Sequence, residues 1–200
     1  MQRQKDIRKI LVEFGRKIVN ERLVLATGGN ISARNGNCIY IKAKSARLDS
    51  PDVKTYVSVN LQSGKCKDGI PSSEACVHIA CYKARKDINA IFHLHPVFST
   101  TVANADTKIK FKGYELLSCL GSEVVRSRYK PAGSEKLADE MKKCVKKSNA
   151  ILMPNHGILV VGKDANEAFD RALAVERACQ AFIFSHILKT SSLLNGKLSR

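Results

Sequence analysis

The sequence predicts an α/β fold, namely a single-domain α/β/α sandwich with a largely antiparallel central sheet over residues 1–200. Segments with helical periodicity alternate with short apolar runs of strand length. Several of these runs are joined by tight turns, which pair strands antiparallel and leave the helices to cover the faces of the sheet. A chain of 200 residues can bury one substantial core, and its sequence shows no repeat or linker that would divide it.

The first half of the chain begins with a helix and continues with strands. Apolar residues at a period near 3.6 predict a helix over about residues 3–22. After a glycine-rich turn at 27–30, the dipeptide Asn35-Gly36 stands between two apolar runs and predicts a β-hairpin. Alternating residues at 57–60 predict a further strand. Serines suited to an N-cap then predict a helix over about 72–85.

The second half of the chain alternates strands and helices. The signals are an apolar run, a proline at a helix start and two apolar runs that flank a turn. They predict, in order, a strand over 89–94, a helix with Pro96 in its first turn, a helix over 133–147, strands over 151–153 and 158–161 with His156 between them, and a helix over about 164–188.

The net charge of +16 is the most unusual feature of the composition. A basic surface gives salt-dependent affinity for nucleic acids. However, the sequence has no tryptophan and no nucleic-acid-binding module, and the lysines at 142, 143, 146 and 147 have the spacing of one solvated helix face. We therefore expect no nucleic-acid partner, and a basic surface also suits a phosphorylated small substrate.

Cysteine usage and hydropathy indicate the compartment. The seven cysteines include no C-x-x-C pair, which favours reduced thiols over disulfides or a cysteine metal site. No apolar run approaches the roughly 20 residues that span a bilayer. The charged N-terminus is not followed by the apolar segment of a secretory signal. We therefore expect a cytoplasmic protein that does not insert into a membrane.

Three histidines suggest a metal site. His93 and His95 are two residues apart on a predicted strand, so their side chains share one face. His156 lies in a predicted turn that can direct it towards the same place. Three histidines with one open position are typical of catalytic zinc, which acts as a Lewis acid on a carbonyl. The alternatives are an incidental strand pair and a turn histidine that binds backbone groups.

Glu74 is the candidate acid/base residue, and it stands at the start of a predicted helix, directly after Pro71, Ser72 and Ser73. A glutamate that only complements the helix dipole is the alternative interpretation. His78, one turn later, is expected to be structural. His186, in the last helix, is expected to be neither a ligand nor a catalyst.

Two segments suit a phosphate group. The turn at 28–30 contains two glycines, and consecutive N–H groups in such a turn form an anion nest. The helix start at Ser72 and Ser73 offers hydroxyls and free N–H groups. Each segment also has an ordinary explanation, a tight turn or an N-cap. Together, and with basic residues nearby, they suit a phosphate monoester.

Four motifs in this order make the sequence resemble the class II aldolase and adducin family. They are Gly29-Asn30-Ile31-Ser32, Pro71-Ser72-Ser73-Glu74 with His78, His93-Leu94-His95-Pro96, and Asn155-His156-Gly157. The resemblance covers about residues 7–188. The family includes fuculose- and rhamnulose-phosphate aldolases, ribulose-phosphate 4-epimerases, methylthioribulose-phosphate dehydratases and the non-catalytic adducin heads.

The resemblance implies a role for each matching residue. His93, His95 and His156 would hold one zinc ion per subunit, and Glu74 would bind the resting zinc and act as acid/base once substrate displaces it. Phosphate-binding positions would be Gly29, Asn30, Ser72 and Ser73. Tyr114 stands where fuculose-phosphate aldolases carry a tyrosine that protonates the leaving aldehyde in a neighbouring subunit. Family members are typically homotetramers with active sites at their interfaces.

One loop departs from the family pattern. The usual Thr-Pro-Ser/Thr-Gly phosphate loop is replaced by Lys42-Ala43-Lys44-Ser45. Because lysine binds phosphate as a point charge, Lys42, Lys44 and Ser45 are also candidate phosphate ligands. The loop has lost the glycine of the family pattern, which changes its expected geometry.

The function that the resemblance implies is a zinc-dependent aldolase. It would cleave a ketose 1-phosphate, such as L-fuculose 1-phosphate, to dihydroxyacetone phosphate and an aldehyde. A ribulose-phosphate 4-epimerase or methylthioribulose-phosphate dehydratase on the same scaffold is an alternative, as is a non-catalytic adducin-like binding module. The histidine triad and Glu74 favour an enzyme, since a scaffold has no need of four convergent ligands.

Overall fold

The computed structural model describes residues 6–105, 111 and 118–198, with side chains through residue 189. Its main helices are α1 (Ile7–Asn20), α2 (Ala75–Ala84), α3 (Val97–Asn104), α4 (Glu135–Val145) and α5 (Ala165–Leu198). Its strands are β1 (Asn30–Asn35), β2 (Cys38–Lys42), β3 (Tyr56–Asn60), β4 (Ala90–Leu94), β5 (Val125–Arg126), β6 (Ala150–Met153) and β7 (Gly157–Gly162).

The described strands form one seven-stranded sheet in the order β3-β2-β1-β4-β7-β6-β5. Within it, β5 and β6 pair parallel. The other neighbours all pair antiparallel. The α/β fold class with a largely antiparallel sheet, predicted from the sequence, is confirmed.

Helices cover both faces of this sheet. Side chains alternate between faces along a strand, and in β4 Phe92 packs with α1, α3 and α5 while Ile91 packs with α2 and α4. Every residue of β4 is buried, as expected for a central strand covered on both sides. His93 therefore faces the layer formed by α2 and α4, on the same side as Ile91.

The hairpin between β1 and β2 forms as predicted, one residue further along the chain. Asn35 pairs with Cys38, so the two-residue loop is Gly36-Asn37 rather than Asn35-Gly36. Gly36 has a φ of +58°. A glycine with positive φ at the first loop position is what one class of two-residue hairpin loops requires.

Two helices differ from the sequence prediction at their ends. The N-cap of α2 is Glu74 rather than a serine, and the Glu74 side chain makes no capping bond. Its carboxylate turns into the candidate site instead, while Ser72 Oγ accepts a hydrogen bond from Glu74 N at 3.3 Å. The helix α5 continues to Leu198, ten residues beyond the predicted end. None of the described helices is long and apolar enough to cross a bilayer.

Candidate active site

Three histidine side chains converge at one end of the sheet. His93 lies on β4, His95 follows the last residue of that strand, and His156 lies in the turn between β6 and β7. Because β4 pairs with β7 through Leu94 and Ile158, this turn is brought beside the end of β4. The Nε2 atom of His93 lies 3.1 Å from that of His95 and 3.1 Å from that of His156. This geometry can hold a metal ion.

The protonation of His93 suits a metal ligand. Its Nδ1 lies 2.9 Å from the carbonyl oxygen of Ile158. Since a carbonyl only accepts, Nδ1 carries the proton and Nε2 presents a lone pair to the cluster. Burial, reinforced by His156 and His95, holds the pKa of His93 well below its usual range. Burial, with His156 and Lys42, lowers the pKa of His95 to about 4. Both imidazoles are therefore neutral near pH 7, the form that metals bind.

The carboxylate of Glu74 completes the cluster. Its Oε2 lies 3.2 Å from His93 Nε2, and its Oε1 lies 3.5 Å from His156 Nε2. Burial raises the pKa of Glu74, an effect opposed by His156 and by the hydrogen bond from Gly133. Among the described residues, Oε2 has no hydrogen-bond partner although it is buried. Two lone-pair atoms, Oε2 and His93 Nε2, thus face each other, an arrangement that calls for a cation between them.

Gly133 holds the other oxygen of Glu74, and sequence analysis missed it. Its backbone N–H donates to Glu74 Oε1 at 2.9 Å. Its φ is +67°, and a Cβ at this position would lie 3.2 Å from the carbonyl oxygen of Ser73. A glycine immediately before Ser134, the N-cap of α4, was the only available signal in the sequence.

The candidate phosphate-binding residues line the same cleft as the histidines and Glu74. The cleft has a volume of about 250 Å³. The structure brings together there all the candidates named from the sequence, which are Gly29, Asn30, Lys42, Lys44, Ser45, Ser72 and Ser73. They lie just before β1 and at its first residue, at the last residue of β2 and just after it, and immediately before α2.

The glycines before β1 lie against the histidine-bearing segment. A Cβ on Gly28 would lie 3.3 Å from His95 Nδ1, and one on Gly29 would lie 2.9 Å from the carbonyl oxygen of His93. Gly29 also has a φ of +64°. Asn30, opposite His93 in the β1–β4 ladder, is buried and its Oδ1 accepts no hydrogen bond from the residues described. This turn is therefore built around the cluster and leaves an acceptor unused beside it.

The loop that departs from the family pattern carries lysines at 42 and 44 and a serine with positive φ at 45. Ser45, at the position of the family glycine, has a φ of +60° and so keeps a conformation that glycine favours. Lys42 is buried, and its Nζ donates to the carbonyl oxygens of Thr27 at 2.5 Å and Ala46 at 3.0 Å. Burial lowers the pKa of Lys42 to about 8. The Lys42 ammonium thus ties the glycine-rich turn to the loop after β2.

The remaining candidates lie elsewhere. His78 is buried, and its Nδ1 lies 2.7 Å from Ser32 Oγ rather than in the metal cluster. His186 is exposed on α5, where its Nδ1 bonds to the carbonyl oxygen of Phe182. Tyr114 lies outside the described residues.

The fold and this cluster define a family, and the chain belongs to it. The family is the class II aldolase and adducin N-terminal domain, whose sequence profile matches residues 9–183. The family membership predicted from the four motifs is thereby confirmed.

Known proteins of more than one activity are similar to this chain. An L-fuculose phosphate aldolase of Methanococcus maripaludis is 30% identical over 178 residues, which are 89% of this chain and 97% of that protein. A 3-oxo-tetronate 4-phosphate decarboxylase of Haemophilus influenzae is 26% identical over 88% of this chain and 86% of that protein. The fold matches the crystal structure of L-fuculose-1-phosphate aldolase from Thermus thermophilus with a TM-score of 0.81, at 20% identity, over 92% of this chain and 96% of that one.

Proposed function

We propose that this protein is a zinc-dependent aldolase that cleaves a ketose 1-phosphate to dihydroxyacetone phosphate and an aldehyde. The observation that carries the proposal is the convergence of three histidine Nε2 atoms and the Glu74 carboxylate in a cleft lined by the candidate phosphate-binding residues. The similarity to an L-fuculose phosphate aldolase over nearly all of both chains supports this reaction over the epimerase, dehydratase and adducin-like alternatives.

Zinc fits the residues present. Three imidazoles and one carboxylate are a ligand set that zinc prefers, and the unpartnered Oε2 of Glu74 faces the Nε2 of His93 at 3.2 Å. His93, His95, His156 and Glu74 would hold the ion. When bound there, zinc supplies a Lewis acid for the substrate carbonyl.

Glu74 is the proposed acid/base residue. Gly133 N–H fixes Oε1, which leaves Oε2 as the atom that accepts and returns a proton. Burial raises the pKa of Glu74, which brings it nearer to neutral pH, and a catalytic group works best when its pKa lies near the working pH.

The phosphate of the substrate would bind in the cleft that the histidines also line. Gly29, Asn30, Ser72 and Ser73 offer it backbone N–H groups, an amide and hydroxyls. Lys44 adds a positive charge, and so does Lys42, whose Nζ also binds the carbonyl oxygens of Thr27 and Ala46. The cleft is thus suited to a phosphate monoester rather than to a neutral sugar.

Tyr114 completes the proposal as the acid that protonates the leaving aldehyde from a neighbouring subunit. This role requires a homotetramer with active sites at its interfaces, as the family resemblance implies. Gel filtration with light scattering tests the assembly. Tyr114→Phe should then lower turnover without changing zinc content.

The decisive experiment is a screen of zinc-loaded protein for aldol addition of dihydroxyacetone phosphate to several aldehydes. Formation of a sugar phosphate supports the proposal. Failure with every aldehyde while zinc is bound contradicts it. Release of carbon dioxide from a 3-oxo acid phosphate in a parallel assay would instead indicate the decarboxylase chemistry of the Haemophilus relative. An adducin-like module predicts neither product.

A further inference from the structure

The short helix α3 connects two of the three histidine-bearing segments. Its first residue, Val97, comes two residues after His95. At its other end, Asn104 Oδ1 accepts a hydrogen bond from the backbone N–H of Asn155 at 2.5 Å. Asn155 immediately precedes His156 and has a φ of +55°, in the left-handed region. A shift of α3 would therefore move the segments that carry His95 and His156.

The start of α3 lacks a cap of its own. Its N-cap is Pro96, which has no side-chain acceptor for the free N–H groups of the first turn. Glu176 of α5 supplies the acceptors. Its two oxygens accept from Phe98 N at 2.9 Å, Ser99 N at 2.8 Å and Ser99 Oγ at 2.5 Å. A carboxylate at this end also complements the positive end of the helix dipole.

The backbone of His95 is held on both sides, while Gly28 and Gly157 lie against its ring. Its backbone N–H donates to the carbonyl oxygen of Leu23 at 3.1 Å. Pro96 then fixes the next φ angle and passes the chain directly into α3. The backbone at His95 is thus joined directly to the first turn of α3, which Glu176 helps to hold in place.

We infer that Glu176 and Asn104 are positioning residues for the metal centre, and that both act through α3. Glu176 anchors the end of the helix that follows His95, and Asn104 anchors the turn that carries His156. Residues outside the ligand set that orient metal-binding histidines typically change metal affinity by about 10- to 100-fold when they are replaced. The inference rests on the metal centre of the proposed function.

The test compares zinc dissociation constants of the full chain by competition with a chromophoric chelator. The variants are Glu176→Gln, which keeps size but removes the charge and one acceptor oxygen, and Asn104→Ala, which removes the acceptor from an exposed side chain. We expect each variant to bind zinc about 10- to 100-fold more weakly than the wild type. The visible spectrum of the Co²⁺-loaded protein should also change, because it reports the ligand geometry.

Glu167→Gln is the matched control. Glu167 lies on the same helix as Glu176 and also accepts a backbone N–H, that of Lys163 at 2.6 Å, but it lies just after β7, at the end of the sheet away from the cluster. Its replacement should lower the melting temperature and leave zinc affinity and the Co²⁺ spectrum unchanged. If Glu176→Gln does not fold, the zinc affinity of Asn104→Ala alone tests the inference.

Zinc affinities of both variants within twofold of the wild type would overturn the inference. If the wild type then still forms a sugar phosphate, the proposed function stands without it. A wild type that binds no zinc at all would overturn both the inference and the proposed zinc mechanism.

Discussion

At the scale of single residues, the two oxygens of Glu74 have different surroundings. Oε1 accepts the N–H of Gly133, whereas Oε2 is buried beside His93 and no described residue donates to it. A glutamate that only complemented the dipole of α2 would not need to be buried among histidines. The structure therefore favours a chemical role for Glu74, and two substitutions separate that role from a structural one.

Replacing Glu74 by glutamine tests the proton transfer. Glu74→Gln keeps the size of the side chain but removes its charge and its capacity to exchange a proton. Zinc should stay bound, because three histidines remain. Turnover should fall by about 10²- to 10⁴-fold, the usual effect of losing a positioned acid/base group. The Michaelis constant should change less, since the phosphate contacts are intact.

Metal content, melting temperature and turnover are measured on the same Glu74→Gln preparation. Near wild-type turnover with zinc bound would remove Glu74 from the mechanism. Glu135→Gln, in the first turn of α4, is a control for the loss of a helix-start carboxylate, which costs only about 0.3–1 kcal/mol.

Replacing Gly133 tests the support of Glu74. In Gly133→Ala, the new Cβ would lie 3.2 Å from Ser73 O, and alanine is strained at a φ of +67°. The N–H should move away from Glu74 Oε1, and turnover should fall together with a stability loss of roughly 1–2 kcal/mol. Gly36→Ala is the matched control, because Gly36 has a φ of +58° with nothing within 4 Å. Equal turnover in the two variants would show that the Gly133 contact is not needed.

At the scale of elements, alternation along strands and turn residues between them predict most of the site. His93 and the turn position of His156 follow from β4, β6 and β7, all of which the sequence predicts. The contributions of Gly133, Glu176 and Asn104 do not follow from local patterns. They depend on how α3, α4 and α5 pack, which periodicity does not reveal. The sequence also predicts a serine, not Glu74, as the N-cap of α2. The contacts that turn the Glu74 carboxylate into the cleft are tertiary, and a local pattern does not reveal them.

Zinc should join two elements, since its ligands come from β4 and from the β6–β7 turn. We expect one zinc per subunit, with zinc–nitrogen distances near 2.0–2.1 Å. A ligand that binds only the folded state raises stability, by about 2.7 kcal/mol at one hundred times its dissociation constant. Elemental analysis and melting curves with and without chelator measure both effects. His156→Ala should lose them, and a wild type without stoichiometric metal after zinc reconstitution would contradict the prediction.

At the scale of the whole molecule, buried histidines link stability to pH. His78 is fully buried against Ser32, and burial lowers its pKa to about 3 from an ordinary value near 6.5. Between these values the unfolded chain binds a proton at this position and the folded chain does not. His78 therefore contributes no pH dependence above pH 7, and it lowers stability as the pH falls below about 6.5. Each such histidine contributes about 1.4 kcal/mol per pH unit in that window.

In His78→Gln, the slope of the unfolding free energy against pH should be lower by about 1.4 kcal/mol per pH unit between pH 6 and pH 4. The variant itself should be less stable at pH 7, because it loses the bond to Ser32. Urea unfolding of metal-free protein at several pH values measures the slope. His186→Gln is the control, since that side chain is exposed in the folded chain. An unchanged slope in His78→Gln would show that His78 is protonated in the folded protein.

The β1–β2 hairpin has a practical consequence for handling the protein. Asn30, at one end of β1, lines the cleft, while the Gly36-Asn37 loop lies beyond the other end of the strand. Six residues at about 3.3 Å each separate the two by roughly 20 Å. A Cβ at Gly36 would meet nothing within 4 Å. A fluorescent label or a tether to a solid support attached at this loop therefore leaves the cleft open.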